Sequence, residues 1–147
     1  MNNKYDSLKL ENQLCFPLYA ASKATVHKSS SYLQDLGLSY TQYIVMMILW
    51  ERKCISLKEI GKMLFLDSGT LTPVLKTLEK KGYVERKRSK DDERILTVTI
   101  TKDGENLKKQ ALEIPKSMSR CMALSDDEFN TLYKLLYKLL YNLEADE

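Results

Sequence analysis

Residues 55–100 read ISLKEIGKMLFLDSGTLTPVLKTLEKKGYVERKRSKDDERILTVTI, and this stretch decides the fold. Ser56 and Glu59 have the spacing of a capping box, in which a serine and a glutamate three residues later cap the start of a helix. After a short break, Asp67 or Ser68 can cap a second helix. The sequence therefore predicts a helix, a tight turn and a second helix.

The second predicted helix has two different faces. Its leucines and valine recur every three or four residues, which predicts that one side packs against its own domain. The opposite side is small, hydroxylated and cationic. Such a face suits the DNA major groove, because short side chains allow close approach while hydroxyls and lysines bind base edges and phosphates. The predicted major-groove residues are Ser68, Thr70, Thr72, Pro73 and Lys76.

A two-stranded hairpin, or wing, is predicted after Gly82. Residues 83–88 are strand-like, residues 95–100 alternate apolar residues with threonine, and the charged segment between them is long enough only for a loop. Arginine on such a ribbon can enter the electronegative minor groove. The same charges can instead form a solvated surface in which Asp92 pairs with Arg94, and both roles can coexist. The candidate DNA contacts in the wing are Arg86, Lys90, Asp92 and Arg94.

The composition limits the other function classes. The 147 residues carry a net charge of only +3, with positive charge concentrated between Lys76 and Arg94, which favours a local DNA face over general polyanion binding. No apolar run could span a membrane and the first residues lack a signal-peptide core, so we expect a cytoplasmic protein. Three widely spaced cysteines, Cys15, Cys54 and Cys121, with a single histidine predict neither a disulfide framework nor a metal site. No glycine motif for phosphate binding occurs, and we expect no cofactor.

The segments on either side of the helix-turn-helix are rich in apolar residues and predict dimerisation helices. The first dimerisation segment, residues 8–38, predicts one long helix from Leu8 to Leu36, in which Pro17 forces a kink or a restart. Residues 39–100 form the predicted winged helix-turn-helix, which opens with a second capping box and an almost wholly apolar helix. Residues 101–147 predict a helix broken or bent near Pro115 and then a last helix.

The last predicted helix begins at a third capping box, formed by Ser125 and Glu128. Such an apolar helix packs on its own subunit or on a second one. We favour a homodimer, because a helix-turn-helix normally reads two half-sites about one DNA turn apart. The predicted fold of residues 1–147 is thus mainly α, with about six helices and a small antiparallel β-wing. The seam residues step by three and four, as in a coiled coil: Phe129, Leu132, Leu136, Leu139 and Leu143.

This order of elements resembles the MarR family of dimeric winged-helix regulators. Three runs carry the resemblance: LDSGTLTP at 66–73, the wing segment 88–94 with its Asp-x-Arg pattern, and LENQLCF at 10–16. The last run is similar to the organic-hydroperoxide-sensing (OhrR-type) repressors of the family. The resemblance covers essentially the whole chain. It implies a repressor that binds palindromic double-stranded operator DNA.

The same resemblance implies a redox switch at Cys15. In the family, the matching cysteine is oxidised by an organic hydroperoxide to a sulfenic acid, and the dimer then releases DNA. The sulfenic acid pairs with a low-molecular-weight thiol, overoxidises or meets a second cysteine, for which Cys121 is the candidate. A helix N-terminus near Cys15 would favour the reactive thiolate.

The resemblance also implies that tyrosine hydroxyls of the partner subunit support the sensor. Tyr40 matches one of these tyrosines, whereas Ser29 stands where the other is expected. Tyr32 is close by in the sequence and could substitute, or Ser29 could take the tyrosine's place by bonding through its own hydroxyl or a water. Tyr19 lies one helical turn beyond the sensor. Pro17 is a second departure from the family pattern.

Two other functions stay open. The first is a MarR-type regulator gated by a small aromatic ligand, with Cys15 structural. The second, of another class, is a thiol peroxidase. A peroxidase needs a dedicated reductant and cations near its thiolate, yet only Lys9 and Lys23 lie near Cys15 in the sequence, and the DNA-reading unit would have no role. We therefore predict a redox-sensing repressor that is not an enzyme.

Overall fold

The computed structural model describes residues 3–145. Two expectations fall partly outside this range. They are the lack of a signal-peptide core in the first residues and the outer limit of the predicted segment 101–147. The chain divides into two compact units, one up to Leu112 and one from Glu113 onward. Within the described residues, no helix is both long and apolar enough to cross a membrane.

The first unit has the predicted winged helix-turn-helix. Its helices are α1 (Cys15–Leu33), α2 (Tyr40–Arg52), α3 (Leu57–Leu64), α4 (Ser68–Lys80) and α5 (Lys102–Ala111), and its strands are β1 (Cys54–Ser56), β2 (Val84–Arg88) and β3 (Leu96–Ile100). The three strands form an antiparallel sheet in the order β1-β3-β2. The predicted wing is confirmed as β2 and β3, and β1 is a third strand that the sequence did not predict.

The helix starts follow local side-chain chemistry. The three predicted capping boxes are present, with Ser39, Ser56 and Ser125 as the capping serines. Asp67, rather than Ser68, caps α4, since its carboxylate accepts a 2.7 Å hydrogen bond from the Thr70 backbone N–H. This bond favours the ionised carboxylate and holds the pKa of Asp67 below its usual value.

The first helix begins later than the predicted start near residue 8. Two short 3-10 helices, Asp6–Leu8 and Leu10–Asn12, precede it, and α1 starts at Cys15. Pro17 is therefore in the first turn, where backbone N–H groups have no acceptor within the helix, so its missing N–H breaks no helical bond. Of the two outcomes predicted for this proline, the structure shows the restart.

The core of the first unit forms around α2, as its apolar sequence predicts. The predicted apolar stripe of α4 faces this core, so the hydroxylated face of α4 points outward. The fully buried side chains include Val45, Met46 and Leu49 of α2, Ile60 of α3, Leu71, Leu75 and Leu78 of α4, and Val98 of β3.

The second unit contains α6 (Ile114–Met122) and α7 (Asp126–Glu144). Pro115 lies at the start of α6, so the predicted helix over 102–123 is broken into α5 and α6. The described residues consequently contain seven α-helices where about six were predicted. No residue of α7 is buried. Its aromatic rings lie one helical turn apart, and neighbouring ring centroids are 6.1, 4.8 and 6.0 Å apart in the order Phe129, Tyr133, Tyr137 and Tyr141.

Candidate DNA interface and redox site

The outward face of α4 brings the predicted major-groove residues together. Ser68, Thr70, Pro73 and Lys76 are exposed, while Thr72 is half-buried. The Thr72 hydroxyl donates to the Ser68 carbonyl at 2.7 Å, which orients its oxygen and leaves that oxygen able to accept a hydrogen bond. This helix therefore presents three hydroxyls and one cation on a surface that its own core does not use.

The turn between α3 and α4 depends on a glycine that the sequence analysis missed. A Cβ on Gly61 would lie 2.6 Å from the Leu66 carbonyl oxygen, so only glycine allows the backbone of the turn to approach α3 this closely. The missed signal was a glycine inside a predicted helix, which usually indicates such a close approach. Gly61 thus sets the angle at which α4 is presented.

The wing loop is held by the predicted Asp92–Arg94 pair. The Asp92 carboxylate accepts hydrogen bonds from the Arg94 backbone N–H at 3.0 Å and from its guanidinium Nε and Nη2 at 3.1 and 3.2 Å. The Arg94 side chain hydrogen bonds, and then its backbone bond, lower the pKa of Asp92. The Arg94 side chain is still 90% exposed, so it is oriented and remains open to DNA. Lys90 is exposed in the same loop.

Arg86 is placed differently from the other wing candidates. Its side chain is only 20% exposed, and its Nη2 lies 3.1 Å from Glu79 Oε1. Glu79 also accepts a 2.9 Å hydrogen bond from the Arg86 backbone N–H, and the Arg86 contacts lower the pKa of Glu79. The geometry favours a structural role in which Arg86 ties β2 to α4, whereas DNA contact by Arg86 stays a prediction.

Replacing Arg94 by alanine should weaken operator binding by about 1–3 kcal/mol, the range for a lost specific contact. Asp92→Asn keeps the arginine but weakens its brace, so a smaller loss is expected. Fluorescence anisotropy on operator DNA at one fixed salt concentration measures both. Unchanged affinity for Arg94→Ala would remove this residue from the interface.

Cys15 is the first residue of α1, and its thiol is exposed. No side chain caps this helix end, and within residues 3–145 the thiol has no hydrogen-bond partner. Backbone N–H groups of a first helical turn carry partial positive charge, which stabilises a thiolate. Apolar side chains flank Cys15 along the chain, because Leu14, Phe16 and the nearby Tyr19 are also exposed. The prediction that Cys15 lies near a helix start is confirmed.

The candidate supporting tyrosines lie on two helices. Tyr40 is the half-buried first residue of α2, and its ring centroid lies 6.4 Å from that of Tyr43. Burial, with a smaller contribution from the charge of Tyr40, raises the pKa of Tyr43. Tyr19 is exposed on α1, and Tyr32 is half-buried near the end of the same helix. Among the described residues, no hydrogen bond joins these hydroxyls to the thiol of the same protomer.

Ser29 is the candidate that the structure does not present to a partner thiol. It is buried within the protomer, and its hydroxyl donates to the Val26 carbonyl at 2.7 Å. A serine hydroxyl commonly bonds back to its own helix in this way. The suggestion that Ser29 replaces a tyrosine therefore lacks geometric support.

The other two cysteines occupy different settings. Cys54 opens β1, and its sulfur accepts a 3.2 Å hydrogen bond from the Thr99 hydroxyl. Cys121 is exposed on α6, in the second unit. No disulfide occurs among residues 3–145.

Comparisons with known proteins agree with this geometry. A family model described as transcriptional regulator SarA/Rot matches residues 27–111. The organic hydroperoxide resistance transcriptional regulator of Bacillus subtilis (strain 168) is 43% identical over 132 residues, which cover 90% of each protein. Reduced AbfR of Staphylococcus epidermidis bound to DNA is 35% identical with a TM-score of 0.79, covering 96% of this chain and 99% of that one. AbfR with a disulfide formed is 36% identical with a TM-score of 0.66, covering 93% and 96%.

Proposed function

The chain belongs to the MarR/SarA family of winged-helix transcriptional regulators, and from this premise we propose that it is a repressor whose operator binding is switched off by oxidation of Cys15. The observation that carries the proposal is the position of Cys15, an exposed thiol at an uncapped helix start in an apolar setting. The exposed face of α4 and the braced wing supply the DNA contacts.

The chemistry at Cys15 begins with the thiolate. The sulfur attacks the terminal peroxide oxygen of an organic hydroperoxide, an S–O bond forms, the O–O bond breaks, and the organic alkoxide leaves and takes up a proton as the alcohol. The product is a sulfenic acid. A second thiol then displaces water from it to give a disulfide, and that thiol is a low-molecular-weight thiol or Cys121. The exposed apolar side chains around Cys15 suit the organic part of the hydroperoxide.

The supporting hydroxyl comes from the other protomer. No hydrogen-bond partner of Cys15 occurs among residues 3–145 of its own protomer, so we assign the donor that steadies its thiolate to a second copy of the chain. We assign this role first to Tyr40, and to Tyr32 and Tyr19 after it. Conversion of the thiol to a bulkier oxidised form changes the contact between Cys15 and the tyrosine hydroxyl. Because Tyr40 is the N-terminal residue of the central helix α2, this change acts on the start of α2.

The homodimer is assembled by the two flanking segments, 8–38 and 101–147, around the DNA-reading unit 39–100. Leu8, Leu10, Leu14 and Phe16 are exposed in the first segment, and α7 buries none of its residues in the protomer. Covering such surfaces stabilises a dimer by about 25 cal/mol per Å² of apolar area. Two copies then present two α4 helices to a palindromic operator.

The relatives support a change of conformation on oxidation. AbfR has been solved reduced on DNA and with a disulfide formed. The present chain superposes better on the former, with TM-scores of 0.79 and 0.66. Overoxidised AbfR bound to DNA gives a TM-score of 0.77, so the similarity does not separate the reduced from the overoxidised protein.

The test is fluorescence anisotropy of the reduced protein on palindromic DNA taken from upstream of its own gene. Organic hydroperoxide should release the wild type from DNA, and a dithiol should restore binding, whereas Cys15→Ser should stay bound throughout. Cys54→Ser is the matched control, since it removes another exposed thiol and should respond as the wild type does. If wild type and Cys15→Ser both bind DNA tightly and ignore peroxide, Cys15 is structural and the ligand-gated alternative takes precedence.

A further variant, Cys121→Ser, identifies the thiol that forms a disulfide with oxidised Cys15. A disulfide between Cys15 of one protomer and Cys121 of the other would appear as a covalent dimer on a non-reducing gel after peroxide treatment, and Cys121→Ser would abolish it. Absence of this band leaves the route through a small thiol. Sustained turnover of hydroperoxide by the protein with a dithiol, many equivalents per Cys15, would instead support the peroxidase alternative.

A further inference from the structure

Lys81 forms a polar link between three helix ends. It follows the last residue of α4, the helix that carries the predicted major-groove residues and is called the recognition helix from here on. Its own backbone N–H donates to the Thr77 carbonyl at 3.0 Å. Its ammonium donates to the carbonyl of Gly37, the residue that ends the short 3-10 helix Gln34–Leu36 after α1. The ammonium also donates to Gln42 Oε1 at 3.2 Å.

Gln42 is part of the capping box that starts α2. Its Oε1 accepts a 3.1 Å hydrogen bond from the Ser39 backbone N–H, and its own backbone N–H donates to Ser39 Oγ at 3.2 Å. Tyr40, the proposed support of the sensor thiol, lies between these two residues. Gln42 Oε1 therefore accepts hydrogen bonds both from the capping box that encloses Tyr40 and from Lys81 at the end of α4.

This geometry separates Lys81 from the core packing. The side chain is exposed, so its loss removes hydrogen bonds without opening a cavity. A hydrogen bond of this kind is either formed or broken, which gives the link two discrete states. Gly37 has a left-handed φ of 63°, which suits a turn that exposes its carbonyl.

We propose that Lys81 is a positioning residue that couples the sensor to the recognition helix. When oxidation of Cys15 displaces Tyr40, the capping box moves, and the Lys81 link makes the end of α4 follow it away from the DNA-binding position. This inference rests on the proposed function, because it needs Tyr40 at the sensor and release upon oxidation. It assigns to Lys81 the transmission of that signal, distinct from any contact with DNA.

The experiment compares the operator Kd of the oxidised protein with that of the reduced protein for each variant. Lys81→Met should lower this ratio by about 2–30-fold, the range for residues that modulate coupling between sites, while mass spectrometry shows the same extent of Cys15 oxidation as in the wild type. Lys81→Arg keeps donors for both oxygens and should restore the ratio. Lys80→Met is the matched control, since it removes the neighbouring exposed lysine, and it should leave the ratio unchanged even if it weakens binding overall.

The outcomes separate this inference from the proposed function. If the wild type releases DNA on oxidation and Lys81→Met shows the wild-type ratio, Lys81 does not couple the sites, and the redox switch stands without it. A uniform loss of affinity in both redox states would likewise assign Lys81 to DNA contact and overturn the coupling role. If the oxidised wild type itself stays on DNA, the proposed function fails first.

Discussion

Replacing Leu132 and Leu136 together with glutamate is expected to convert the protein into a monomer and to weaken operator binding by about 100-fold or more. These leucines lie one turn apart on α7 and are 46% and 36% exposed in the protomer, so the protomer does not use them fully for its own packing. Two carboxylates on this seam would have to be desolvated in a dimer, which is costly without partners. A monomer binds one half-site only, and it loses the avidity of linked sites, about 10²–10⁴-fold.

Size-exclusion chromatography with light scattering measures the first effect, and anisotropy on the full palindrome measures the second. The matched control is Thr131→Glu with Asn142→Glu, which adds the same charge to the same helix at exposed positions off the leucine seam. This control should remain dimeric. A dimer that survives in the Leu132, Leu136 double variant would show that α7 is not at the interface, and the exposed apolar residues near Cys15 would become the main candidates.

Local chemistry explains which parts of the fold the sequence predicts. A capping box joins residues only three positions apart, so Ser39, Ser56 and Ser125 could be identified from spacing alone. The buried and exposed faces of α4 follow from helical periodicity in the same way. The strand β1 could not be predicted, because its three residues carry no alternating pattern and Ile55 pairs with Val98, which lies 43 residues later in the chain.

In the candidate site, too, the sequence predicts features set by neighbouring residues and does not predict contacts between distant ones. The position of Cys15 at a helix start could be inferred because Pro17 restricts where a helix can begin. The pairing of Arg86 with Glu79 could not, because it depends on β2 lying beside the end of α4. In the sequence, Arg86 and Arg94 are both arginines of the wing and cannot be told apart. In the structure, Arg86 is half-buried in an ion pair, whereas Arg94 projects into solvent. The Lys81 link to Gly37 joins residues 44 positions apart and likewise has no signature in the sequence.

Gly104→Ala is expected to lower the free energy of unfolding by about 1–3 kcal/mol, the usual cost of overpacking. A Cβ at this position would lie 2.4 Å from the Tyr83 carbonyl oxygen and 2.8 Å from Ile100 Cγ1. The first of these is backbone, so relief requires α5 to move away from the segment that leads into the wing. The Gly104 carbonyl also accepts the buried Trp50 indole N–H at 2.9 Å, so such a movement strains a second buried contact.

Urea denaturation at one fixed protomer concentration measures this loss, because the midpoint of a dimer depends on concentration. Gly69→Ala is the matched control. It is also a helical glycine, but its Cβ would meet only the flexible Asp67 carboxylate at 3.2 Å, and alanine gains up to about 1 kcal/mol in helix propensity. Since Gly104→Ala gains the same propensity, a net loss there isolates the steric cost of the contact with Tyr83. Equal stability of Gly104→Ala and Gly69→Ala would mean that α5 shifts freely. The close approach of α5 to the base of the wing would then not help to hold the wing beside α4.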